Sequence, residues 1–313
     1  MRKLKNKILF GLFVLISVSS FGQQDPMYTL YMNDPILINP AYAGTRENLS
    51  INGVFRKQWV GLEWQPTTSA ITINSPFLDY KIGVGISLLN DEIGPVNKTG
   101  LYIDYAYHIW FADKKNLSLG LKAGFTNYNR YLKDLTTIDW DTYIQNMDET
   151  GRFLPNVGIG AYYYTDKYYV GFSIPMLLKN SLNKSENTLE IVGREERTYI
   201  ASAGMVFDVV YPIMKLKPAI LTRAIFGAPP SVEISATAIL YDKVWFGLLY
   251  RFGDAIAASA RVQLNSQLQI GYSYDLTNTD LRPFNHGTHE IMLSYLFTRR
   301  GRIISPRYFS RYY

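Results

Sequence analysis

A chain of 313 residues with three histidines and no cysteine offers few places for chemistry. His286 and His289 flank Gly287-Thr288. Two ligands could stand there, but no third is near in sequence, and a metal site needs three or four. Asp139, Asp141, Asp148 and Glu149 are oxygen donors of the kind calcium takes. Their spacing matches no calcium loop, so a solvated acidic face is the simpler reading. The lack of cysteine excludes thiol nucleophiles, Cys-ligated zinc, iron–sulfur clusters and disulfides. No nucleophile elbow, zinc-protease helix, phosphate loop, dinucleotide fingerprint or EF-hand is present. The expectation is a protein with no cofactor, no metal and no catalytic set.

What remains is recognition. The segment 58–66 displays Trp59, Leu62 and Trp64, and 90–97 carries Ile93 beside a Gly94-Pro95 corner. The stretch 128–152 holds Trp140 and Tyr143, and 175–196 holds Leu177 and Leu178. Long connections commonly carry function, and exposed aromatics suit protein contact. The same tryptophans would also serve as anchors at a membrane interface. Both readings stand at this point.

The elements that would position these loops are strands. Leu101, Ile103, Tyr105, Tyr107 and Ile109 alternate with Tyr102, Asp104, Ala106 and His108. Similar alternation runs through 117–126 and 268–276. A period of two marks a strand whose faces meet different media. About fourteen segments qualify: 49–58, 66–77, 79–90, 99–112, 115–127, 153–165, 167–174, 197–210, 215–225, 231–241, 243–253, 255–265, 267–277 and 288–298. Short joins alternate with longer ones, including 59–65, 91–98, 128–152, 175–196 and 278–287, so one end of the sheet carries turns and the other loops.

One face of these strands is apolar. The other carries Arg56, Asp104, His108, Lys122, Asp208, Arg223, Glu233, Arg251, Arg261, Asp275 and Glu290. A soluble sandwich would bury the apolar face; a membrane barrel would turn it to lipid. The even strand count, the turn–loop asymmetry and aromatics near strand ends favour a transmembrane antiparallel β-barrel, all-β in class. Lipid tolerates no open sheet edge, so the first and last strands must pair. Fourteen strands enclose more space than side chains fill. Residues 23–48 lack alternation, and Pro26, Pro35 and Pro40 bar long regular structure. They are expected to plug or underlie the lumen through Tyr28, Tyr31, Asn39, Pro40 and Tyr42; a loose periplasmic arm is the alternative.

The charge balance supports export. The formal charge of +6 includes Arg2, Lys3, Lys5 and Lys7, ahead of the apolar run Ile8 to Val18 and the small residues Ser20 and Gly22. That is a secretory leader, 1–22. Without its four basic residues the remaining 28 face 26 acidic ones, so the basic balance does not point to nucleic acid. The expected organisation is the leader, the segment 23–48, a barrel over 49–298 and an Arg-rich periplasmic tail over 299–313.

Several motifs carry a resemblance: Gln24-Asp25-Pro26-x-Tyr28-x-x-Tyr31-Met32, Asn39-Pro40-Ala41-Tyr42-Ala43-Gly44, Arg56-x-Gln58-Trp59-Val60-Gly61, Asn90-Asp91-x-Ile93-Gly94-Pro95, Gly227-Ala228-Pro229-x-Ser231-Val232 and Gly271-Tyr272-x-Tyr274-Asp275. In this order they resemble the PorP/SprF family of type IX secretion outer-membrane proteins. The resemblance implies a non-enzymatic barrel in the outer membrane. Its partners would be the secretion machinery, outer-membrane lipid and a secreted cargo such as an adhesin with a C-terminal sorting domain, including adhesins used in gliding. A channel for small or amphipathic solutes is the other reading.

Overall fold

The computed structural model describes residues 27–46, 48–78, 80–111, 115–131, 149–182 and 193–297. The expected leader, Trp140, Tyr143 and the Arg-rich tail lie outside the described residues. The strands are β1 (Ser50–Lys57), β2 (Thr67–Phe77), β3 (Ile82–Ile93), β4 (Val96–Trp110), β5 (Asn116–Arg130), β6 (Glu149–Tyr164), β7 (Tyr168–Ile174), β8 (Thr198–Met205), β9 (Phe207–Val210), β10 (Met214–Ile225), β11 (Ser231–Leu240), β12 (Val244–Arg251), β13 (Ala255–Gln263), β14 (Leu268–Thr277) and β15 (Thr288–Leu296). Sequential neighbours other than β8 and β9 pair antiparallel, and β1 pairs with β15, Arg56 opposite Glu290, so the sheet closes on itself. β8 and β9 both pair with β10, on either side of Val206, so the two share one stave and the barrel has fourteen. No helix among the described residues is long and apolar enough to cross a membrane; the strands do the crossing.

The two faces divide as the alternation requires. Ile71, Ile103, Leu121, Phe172, Leu248 and Ile291 are exposed on the outside. Arg56, Asp104, His108, Lys122, Glu233, Arg251, Asp275 and Glu290 are buried on the inside. An exposed apolar belt around a polar interior is the arrangement lipid demands. One expected inner residue departs from this: Asp208 lies on β9, all four residues of which are exposed.

The β3–β4 join is a correction. The segment 91–98 was expected as a loop, but the ladder continues to Ile93 opposite Val96. Only Gly94 and Pro95 turn the chain, with Gly94 at φ 56°. β5 likewise runs on to Arg130 and β6 begins at Glu149. These strands of 15 and 16 residues are about 50 Å long at roughly 3.3 Å per residue. Even tilted, they exceed a hydrocarbon core of roughly 30 Å. β1 and β12 have 8 residues each. The barrel therefore carries a tall wall on its β3–β6 side, at the end where the long connections lie.

Candidate functional site: the loop face and the inner arm

The loop end is knitted together by backbone bonds. Trp59 and Trp64 take positive φ values of 54° and 59°, which folds 58–66 back on itself. Leu62 N–H donates to Trp59 O at 3.2 Å. Gly94 N–H donates to Trp64 O at 3.2 Å, so this loop leans on the β3–β4 turn. On its other side Val60 N–H donates to Gly287 O at 2.8 Å, and His286 N–H to Val60 O at 2.7 Å. Trp59, Leu62, Trp64, Ile93 and Pro95 thus share one surface, with Trp64 45% and Ile93 43% exposed. Leu177 and Leu178 are not part of it. Their segment runs beside β6, where Leu177 N–H donates to Val157 O at 2.8 Å and Asn156 Oδ1 accepts from Leu178 N–H at 2.9 Å.

Residues 27–46, the arm, run against the inward faces of the strands. Tyr28, Tyr31, Asn39, Pro40 and Tyr42 are all buried. Three short 3-10 turns, Tyr31–Asn33, Pro35–Leu37 and Pro40–Tyr42, bond the backbone to itself where water is scarce. Proline opens two of them, a position at which its missing N–H costs nothing. Asn39 caps the third by accepting from Ala41 N–H at 3.0 Å, and its amide donates to Ala161 O on β6 at 3.1 Å. Tyr42 meets Tyr162 edge-on, with ring centroids 5.6 Å apart.

The arm spans the height of the barrel. At the loop end Arg56 pairs with Glu290 and with Asp275, each at 2.8 Å. The same carboxylates accept from the arm: Glu290 from Thr29 N–H at 2.8 Å and Leu30 N–H at 2.7 Å, Asp275 from the Thr29 hydroxyl at 2.6 Å. In the middle, Asp34 accepts from Asn52 at 3.1 Å and from the Thr72 hydroxyl. Burial lifts the Asp34 carboxyl above its usual range, and the Thr72 bond offsets only part of this. At the turn end the arm lies directly on glycine. A Cβ on Gly83, Gly120 or Gly160 would sit 2.0 Å from Ala43 O, 2.1 Å from Ala41 N and 2.1 Å from Asn39 Oδ1 respectively.

The alternation places Arg56, Asp275 and Glu290 on one face and closure pairs the first strand with the last, but neither sets the register that puts Arg56 opposite Glu290. Gly83 and Gly160 leave space on the inward faces of β3 and β6. The neighbour that needs the space is the arm. The available signal was glycine at inward positions of otherwise regular strands.

A search of curated proteins finds no match. Among solved structures, the monoaromatic hydrocarbon channel CymD is similar over 90% of this chain and 96% of its own, at 10% identity and a TM-score of 0.52. Omp33 of Acinetobacter baumannii covers 81% of this chain and 100% of its own, at 8% identity and a TM-score of 0.48. At 10% identity the likeness to CymD speaks to the fold alone, a membrane β-barrel. The model for type IX secretion system membrane proteins PorP/SprF matches residues 20–295. A closed fourteen-stave outer-membrane barrel matched over nearly its whole length belongs to the PorP/SprF family of type IX secretion system membrane proteins.

Proposed function

We propose that this barrel is a non-enzymatic anchor, delivered to the outer membrane after loss of the leader 1–22, that holds a secreted cargo against its loop end. The cargo class is an adhesin-like protein with a C-terminal sorting domain, of the kind that serves attachment or gliding. The supporting observation is the joined surface of Trp59, Leu62, Trp64, Ile93 and Pro95, held in place by backbone bonds from two neighbouring connections. Aromatic anchors on a rigid frame lose little entropy on binding. The arm acts as a plug, so the protein holds its partner without conducting.

Pull-down with the tagged barrel tests the first part. Recovery of a large protein with a C-terminal sorting domain supports the reading. Recovery of the secretion machinery alone assigns a core role instead, and recovery of neither overturns both. Planar-bilayer conductance tests the second. The intact protein should be silent and a deletion of 27–46 should leak; steady current through the intact protein would favour a solute channel.

A further inference from the structure

We propose that the loop end of the lumen holds a binding site for a small apolar carboxylate, a group with one aliphatic or aromatic body and one anionic end. A cavity of about 90 Å³ lies where the arm meets the inward faces of β3, β8 and β10. Its body is made by Tyr28 and Ile38 of the arm, Leu89, Met176, Ile200 and Ile225. A barrel interior that serves only to be wetted is polar. Here the wall is apolar, and such a surface gains by withdrawing from water. The volume suits one side-chain-sized group rather than a chain.

Two cations share that wall. Lys122 and Arg223 both line the cavity and are 5% and 8% exposed. No Asp or Glu among the described residues lines it. The carboxylates nearest these cations stand behind the wall: Asp104 is 3.5 Å from Lys122 Nζ, and Glu233 is 3.8 Å from Arg223 Nη2. An anion entering the cavity therefore meets two positive groups and no lining carboxylate, within a low-dielectric surround that strengthens the attraction. A neutral isostere gains only the apolar part. The same chemistry is offered by a free short-chain or aromatic acid and by the C-terminal residue of a polypeptide. The inference rests on the cavity and not on the cargo reading, and the pull-down above tests that reading separately.

The test uses the mature barrel in lipid nanodiscs, with ligand-observed NMR and calorimetry. The probes are 4-methylpentanoate and its amide, and a pair of short peptides ending in leucine as the free acid or the amide. The acids should bind at least tenfold more tightly than the amides. Arg223→Met should bring the acid-to-amide ratio toward one, and Ile225→Trp should abolish binding by filling the cavity. Leu89→Phe fills it from the opposite wall and serves if the Trp variant does not fold. Tighter binding of the peptide acid identifies a polypeptide C-terminus as the source; tighter binding of the free acid identifies a small molecule. Equal affinity of acids and amides, no binding of any probe, or binding unaffected by a folded filling variant overturns the proposal.

Discussion

The two ends of the arm are held by different physics. At the loop end, Thr29 and Leu30 are fixed by Glu290 and Asp275, which Arg56 draws together across β1, β14 and β15. At the turn end, Ala41 and Ala43 lie on Gly120 and Gly83 with no room for a methyl group between the backbones. The first contact is directional and charged, and depends on every partner being present. The second is steric and depends on an atom being absent. The charged contact also sits on the β1–β15 seam, where the barrel closes, so seating the arm and joining the first strand to the last draw on the same three side chains.

The largest expected effect comes from removing the cation in that contact. Arg56→Met leaves Asp275 and Glu290, 2% and 0% exposed, without their shared cation. Stranding buried charge in this way costs about 3–5 kcal/mol. Urea unfolding in lipid vesicles should show that loss, and adding Glu290→Gln to the variant should recover part of it by removing a stranded carboxylate. A loss under about 1 kcal/mol would mean that the charged end does not hold the arm.

The steric end is tested by a methyl group. Gly120→Ala forces the backbone at Ala41 to shift and should cost about 1–3 kcal/mol, the usual range for overpacking. Gly53→Ala on β1 is the control, since its Cβ would meet nothing within 4 Å; its effect should stay within about 0.5 kcal/mol. Equal effects would dissolve the distinction between the two ends. Trypsin accessibility at Arg46 sharpens it: Gly120→Ala should expose the turn end of the arm first, and Arg56→Met the loop end.

Outside the lumen, Trp64→Ala should leave stability within about 0.5 kcal/mol of the parent but reduce cargo recovery in the pull-down. A full loss of folding instead would make Trp64 a structural residue of the loop and not an anchor.

The staves were legible in the sequence because the period of two is written residue by residue. The Tyr102, Asp104, Ala106, His108 face and its Ile103, Tyr105, Tyr107 counterpart need no tertiary information. Turn chemistry was less legible. Asn90 to Asn97 reads as a polar loop, yet Asn90 and Asn97 bond side chain to side chain at 3.2 Å across the β3–β4 pair, and the polar residues lie within strands that rise past the membrane. Least legible was the inner contact of the arm. Arg56 and Glu290 are separated by nearly the whole barrel in sequence, and closure alone, which the sequence does imply, leaves the register that sets them opposite each other open. The glycine seats were visible as residues, but their meaning depended on which backbone came to lie on them.

A smaller effect than at either end is expected between them, at Asp34. Burial raises its pKa above the ordinary 3.8, and Arg46, Asp104 and Lys122 supply the nearby charges. The folded protein thus holds the proton more readily than the unfolded chain. Above the raised pKa, the ionised carboxylate subtracts from stability. As pH falls through that value the subtraction shrinks, and it is gone below 3.8. Asp34→Asn removes this penalty, but it also loses one of two accepted hydrogen bonds, worth about 1 kcal/mol. At neutral pH the two changes oppose, so the net effect should be within about 1 kcal/mol. Acidification separates them, because only the parent gains from protonation of Asp34. The parent should therefore grow more stable relative to the Asn variant as pH falls toward 4, in urea unfolding read at matched ionic strength. A gap that stays constant from neutral pH to pH 4 would mean that Asp34 titrates alike in both states, and that the middle of the arm carries no strain from its buried charge.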